Sequence, residues 1–227
     1  MTGQLDRIRD LEKLFSSDEN IVSENIVTVA SGKGGTGKTF FAANFAYQYS
    51  LSHKVLLIDA DFNLSNLHLL FNENPQKTLN TFLESKSGFD EIITKYNPNL
   101  DIIFGESGSI NSDKPSFNQI NKLLGEINNL ASKYDLILFD LGAGISDENL
   151  HILSKAKSKI IVTNPEPTSL MDAYVLIKLL KSNKHHAGIH IALNRCVEDG
   201  EGTEAFKNLK SAVDHFLKTG INFLVEI

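Results

Sequence analysis

The chain has 227 residues, enough for one well-buried domain and short for two. A hydrophobic content of 41% excludes a disordered chain, and a single cysteine, Cys196, excludes an internal disulfide or a cysteine-only cluster. The net charge of −6 gives no general attraction to nucleic acid and leaves only a local basic patch as a route to one.

Residues 3–15 read as a short amphipathic helix. Leu5, Ile8, Leu11, Leu14 and Phe15 fall on one half of a helical wheel, with Asp6, Arg9, Asp10 and Lys13 opposite. This N-terminus is too charged for a secretory signal. The polar stretch "SSDEN", residues 16–20, follows as a linker. The chain therefore divides into an N-terminal helix and linker, 1–20, and one domain, 21–227. Pattern alone favours a helix that packs on the domain; the alternative is a tethered peptide for a partner.

From residue 25 onward the sequence alternates. Strand-like runs fall at 25–30, 54–60, 100–104, 134–140, 158–164, 188–194 and 221–227. Helical segments fall at 38–52, 116–132, 147–156, 168–182 and 203–218. This alternation predicts an α/β fold: a mostly parallel central sheet of about seven to eight strands with helices on both faces. No run approaches the roughly 20 apolar residues of a membrane helix, which together with the lone cysteine points to a cytoplasmic setting. Residues 105–116, rich in small polar residues, read as the most mobile loop.

Between the first strand and the first helix stands "SGKGGTGKT", residues 31–39. Gly32, Gly37, Lys38 and Thr39 satisfy G-x-x-x-x-G-K-[ST], a P-loop, in the strand–loop–helix context that such a loop needs. Its backbone N–H groups and the helix N-terminus form a nest for phosphate oxygens. Gly34, Gly35 and Gly37 leave room for the phosphates. Lys38 reaches the β- and γ-phosphates, and the Thr39 hydroxyl ligates Mg²⁺.

Ligands of open parallel sheets bind at the carboxyl ends of the strands, and three acids stand there. Asp59 and Asp61 end the second predicted strand, and Asp140 ends the fourth. An apolar strand ending in Asp beside a P-loop is the Walker B pattern, so Asp140 holds Mg²⁺, with Thr39 and Asp59 completing the candidate metal set. Asp61 is placed to orient an attacking water. The seven histidines show no ligand spacing, and the adjacent pair His185 and His186 falls in a polar loop. No G-x-S-x-G, H-E-x-x-H or guanine-reading N-K-x-D pattern occurs.

"KGGTGKT" (33–39) resembles the deviant Walker A motif of the MinD/ParA ATPases, in which the first lysine is a signature. The resemblance implies that Lys33 crosses to the partner subunit of a homodimer formed in the ATP state and contacts its nucleotide, as an arginine finger does. It extends to "DADFNLSNLHLLF" (59–71), similar to the first switch, with Asp61 as the water-orienting acid and Asn66 in a motif position. "DLGAGIS" (140–146) is similar to the second switch. "VTNPEPTSLMDAYVLIKLL" (162–180) resembles the segment beside the adenine, and "ALNRC" (192–196) an Asn-Arg motif that implies base recognition by Asn194 with Arg195 alongside. The implied catalytic set is Lys33, Lys38 and Asp61. The implied ATP/ADP-binding set is Gly32, Lys33, Gly34, Gly35, Thr36, Gly37, Lys38, Thr39 and Phe40 with Asn194 and Arg195.

"DLGAGIS" with "PEPTSLMDAY" looks most like the flagellar-number branch, called FlhG, YlxH or FleN. That branch carries an N-terminal D-Q-A-x-x-L-R peptide that stimulates an FlhF-type GTPase. Here "GQLDRIR" (3–9) matches at Gln4, Ile8 and Arg9 and departs at Gly3 and Leu5. The resemblance implies a slow switch ATPase governing flagellar placement or number through such a partner. Relatives end in a membrane-binding amphipathic helix, whereas this chain stops at "INFLVEI" (221–227). Strong membrane binding is not expected of it, and any peripheral association with the inner face of the cell membrane would run through that helix. The competing readings are a ParA-type partition ATPase that binds DNA nonspecifically and a nucleotide-binding adaptor with negligible hydrolysis. The acidic balance counts against the first, and intact Lys38, Thr39, Asp61 and Asp140 count against the second.

Overall fold

The β-rich runs assemble into one eight-stranded sheet, seen in a computed structural model that describes residues 23–62, 65–106, 114–183 and 188–227. The strands are β1 (Ile26–Ala30), β2 (Val55–Ala60), β3 (Ile93–Asn97), β4 (Leu100–Ile103), β5 (Leu136–Leu141), β6 (Ser158–Thr163), β7 (Ile189–Leu193) and β8 (Asn222–Glu226). Their order across the sheet is β3-β4-β2-β5-β1-β6-β7-β8, and only β3 runs antiparallel to its neighbour. All seven predicted strands are present. The expected helix at 3–15, the core of the expected loop at 105–116 and the His185–His186 pair lie outside the described residues.

Order in the sheet locates the site. β1 sits centrally between β5 and β6, and the chain leaves β1 toward one edge and later crosses to the other. This reversal opens a crevice at the carboxyl ends of β1 and β5, where open α/β sheets receive ligands. β2 and β5 are buried along their whole length, which explains their unbroken apolar sequences.

Helix α1 (Lys38–Tyr49) covers one face, setting Phe41, Ala42, Ala43 and Ala46 against Val29, Leu57 and Leu138. Its alanines let the helix lie close to the sheet. Two five-residue helices follow β2: α2 (Leu67–Phe71) and α3 (Leu79–Leu83). The other face carries α4 (Phe117–Leu130), α5 (Asp147–Lys155), α6 (Pro167–Ser182) and α7 (Glu201–Ala212). Ile120, Leu123 and Ile127 recur at helical spacing along α4 and are buried, and a capping box of Ser116 and Gln119 starts that helix. The helix predicted to 218 ends its regular α-turns at Ala212 and continues as a π-turn over Val213–Leu217.

Strand β3 is the one strand that the alternation did not announce. It is a half-exposed edge strand, and its hairpin is closed by the Asn97 side chain, which accepts from the Asn99 and Leu100 N–H groups. No helix among the described residues is long and apolar enough to cross a membrane.

Candidate functional site

β1 ends at Ala30, and the phosphate loop turns back over the carboxyl edge of the sheet. Two close approaches fix its course. A Cβ on Gly32 would lie 2.4 Å from the backbone carbon of Asp172 on α6. Gly37 adopts φ +85, and a Cβ there would lie 2.1 Å from Asn194 Nδ2. Asn194 Nδ2 donates to the Thr36 carbonyl at 2.8 Å, while its backbone N–H donates to Thr163 O at 2.8 Å. The loop is thus held between α6 and the end of β7. The first turn of α1 carries no acidic side chain and no side-chain cap, so its N–H groups remain available to an anion.

The two lysines of the loop have separate environments. Lys38 is 5% exposed, and its Nζ donates to Asp140 Oδ1 at 2.6 Å and to Thr39 Oγ1 at 3.3 Å. Lys33 is 33% exposed on the outer side, where Nζ meets Glu166 Oε2 at 3.3 Å and Thr168 Oγ1 at 3.2 Å. Ser31 Oγ supports this turn by donating to the Lys33 carbonyl.

Asp59 and Asp140 are register neighbours on β2 and β5 and are both buried. Asp59 Oδ1 accepts from the Asp61 N–H, and Oδ2 accepts from Ser65 Oγ and the Leu67 N–H. Burial, and then the charge of Asp140, push Asp59 up to about 6. Burial also raises Asp140, against the lowering effects of Lys38 and the Thr39 hydroxyl. The Asp61 charge contributes to that rise. Asp61 Oδ1 also lies 3.2 Å from where a Cβ on Gly142 would sit.

The raised Asp59 has a thermodynamic consequence. Between the unfolded value, 3.8, and about 6, the native state holds a proton that the unfolded chain has released. Stability of the nucleotide-free protein should therefore fall as pH rises through this window, by at most about 1.4 kcal/mol per pH unit. Denaturant titrations at a series of pH values check this, and Asp59→Asn should flatten the slope between pH 4.5 and 6.

The site suits a hydrated divalent cation. Asp140 Oδ2 is buried with no hydrogen-bond partner, close to the Thr39 hydroxyl. Among the described residues, no group of three or more His, Cys, Asp or Glu is arranged to hold a metal unaided. Mg²⁺ takes one or two protein ligands and completes its shell with water and substrate phosphates, and Asp140 with the Thr39 hydroxyl offers such a pair.

Beside the loop, a cavity of about 530 Å³ is lined by Phe41, Phe45, Asn194, Leu224 and Val225, with the exposed Phe40 at its edge. Its mostly apolar walls, with the amides of Asn44, Gln48 and Asn194 among them, suit a purine. Arg195 is exposed next to it, with φ +61. A larger groove, about 680 Å³, lies between α6 and α7, away from the acids and Lys38. The structure gathers Lys38, Thr39, Asp59, Asp61 and Asp140 at the carboxyl edge of the sheet. No role follows from the sequence for Glu166, Thr168 or Asn149. The first two stood in the quoted "NPEPTS" run, where an acid and a hydroxyl two residues apart were the available signal.

Comparison with known proteins identifies the family. A family model described as an AAA domain matches residues 24–193. The chain is 30% identical over 225 residues to the flagellum site-determining protein YlxH of Helicobacter pylori, spanning 98% of this chain and 76% of that one. It is 28% identical over 200 residues to the antiactivator FleN of Pseudomonas aeruginosa, spanning 88% and 71%. The solved structure of the septum site-determining protein MinD with Mg-ADP from Pyrococcus horikoshii matches with a TM-score of 0.65 at 28% identity, covering 80% and 76%. The chain belongs to this AAA-domain family, as a P-loop ATPase of the MinD/ParA type. Within that type it stands in the FlhG branch, with YlxH and FleN.

Proposed function

We propose that the chain is an ATP-dependent dimerisation switch, cytoplasmic, that governs flagellar placement or number. The observation that carries this reading is the division of labour between the loop lysines: Lys38 is buried against Asp140, and Lys33 is turned outward onto Glu166 and Thr168. The flagellar assignment draws on the names of YlxH and FleN.

In this reading Lys38 exchanges Asp140 for the β- and γ-phosphates of ATP, and Asp140 is released to serve the cation together with Thr39. Bound Mg²⁺ neutralises phosphate charge. Asp61 orients a water for attack on the γ-phosphorus. The bond to the β,γ-bridging oxygen breaks, and ADP carries that oxygen away. Lys33 leaves Glu166 to meet the nucleotide of a second copy, so turnover waits for the dimer. Asn194 supplies a donor and an acceptor at the base side. Residues 1–20 form the contact to an FlhF-type GTPase.

Phosphate release with Mg²⁺ and either ATP or GTP tests the nucleotide assignment. Slow release from ATP, little from GTP, and loss of both binding and turnover in Lys38→Ala are expected. Equal turnover of GTP would contradict the adenine reading.

A further inference from the structure

The second-switch run Gly142-Ala143-Gly144 has little of its own to hold it, yet it forms the floor under Asp61. Gly142 is buried, with Asp61 Oδ1 3.2 Å from where a Cβ on it would sit, and Gly144 has φ +84. A run this permissive needs an outside anchor to keep one conformation. The structure supplies one from α5. Asn149 is 5% exposed, and its Nδ2 donates to the Gly142 carbonyl at 2.9 Å and to the Gly144 carbonyl at 3.4 Å. The Gly144 N–H in turn donates to Ser31 O at 3.0 Å, joining the run to the phosphate loop.

We propose that Asn149 is a positioning residue for hydrolysis: its amide ties two carbonyls of the second switch and thereby fixes the carboxylate of Asp61 over Gly142. The start of α5 does not need this side chain. Ser146 caps the helix by accepting from the Asn149 backbone N–H at 3.2 Å, a bond that any residue at 149 can make. A helix-forming role would be satisfied by many residues; a two-carbonyl anchor requires an amide with two N–H donors. The role in turnover presupposes that the site hydrolyses ATP, whereas the anchoring of the loop does not.

The test uses the full chain with Asn149→Ala and, as a nearly isosteric variant that loses the donors without adding a charge, Asn149→Leu. Two quantities are read: hydrogen exchange of residues 142–145 without nucleotide, and kcat and KM for Mg²⁺·ATP. Faster exchange in this segment is expected in both variants, with kcat lowered by about ten- to a hundredfold and KM changed by less than about threefold, the signature of a misplaced group rather than lost binding. A folded variant with wild-type exchange at 142–145, or with wild-type kcat, would overturn the proposal. A wild-type chain with no turnover would overturn the switch reading instead, and the exchange comparison would still decide whether Asn149 is the anchor.

Discussion

Asp61→Ala is expected to lower ATP turnover by about a hundredfold or more, while nucleotide affinity stays within about threefold. The expectation follows from where Asp61 stands. Its backbone N–H is held by Asp59 Oδ1, its carboxylate lies over Gly142, and its charge reaches Asp140. None of these contacts belongs to the phosphate loop. Removing the carboxylate leaves intact the nest, Lys38 and Thr39, which supply affinity for phosphate. What is lost is the acceptor that orients the attacking water. Single-turnover phosphate release and a titration with a fluorescent ATP analogue separate the two effects. A parallel loss of affinity would place Asp61 in nucleotide binding instead.

Lys33→Ala carries the second large effect. Turnover should fall by about a thousandfold, the scale of an absent charge supplied in trans. Binding of nucleotide to the single chain should survive, because Lys33 is turned away from Lys38 and Asp140 onto Glu166. Lys38→Ala should instead lose binding outright. The same chemical change, four heavy atoms and one charge removed from a glycine-rich loop, then spares binding at position 33 and abolishes it at position 38. Equilibrium binding and steady-state phosphate release on both variants check the contrast. Equal losses of affinity would show that the two lysines serve one bound nucleotide together.

The chemistry that depends on local spacing was open to reading from residues alone. Gly32 to Thr39 lie within one loop, and Asp59 and Asp140 end apolar runs that could only be buried strands. Sheet register then sets those two acids side by side, as the parallel order required. Contacts between distant segments were not open in the same way. Lys33 meets Glu166 across 133 positions, and Asn194 reaches Thr36 across 158; neither partner is fixed by any local pattern. Asn149 was hidden for another reason. In sequence it is one more polar residue near a helix start, and only the fold shows that its amide points back to Gly142 and Gly144. Strand β3 escaped because a half-exposed edge strand needs no continuous apolar run, and α2 and α3, at five residues each, are too short to display a period.

ATP is expected to join two copies of this chain through Lys33. The most direct measurement is the solution mass of Asp61→Ala by light scattering, first with ADP and then with ATP and Mg²⁺, since blocked hydrolysis should hold the ATP state. A monomer with ADP, a dimer with ATP, and a monomer again when Lys33→Ala is added are expected. A monomer under both conditions, with ATP shown to be bound, would contradict that expectation.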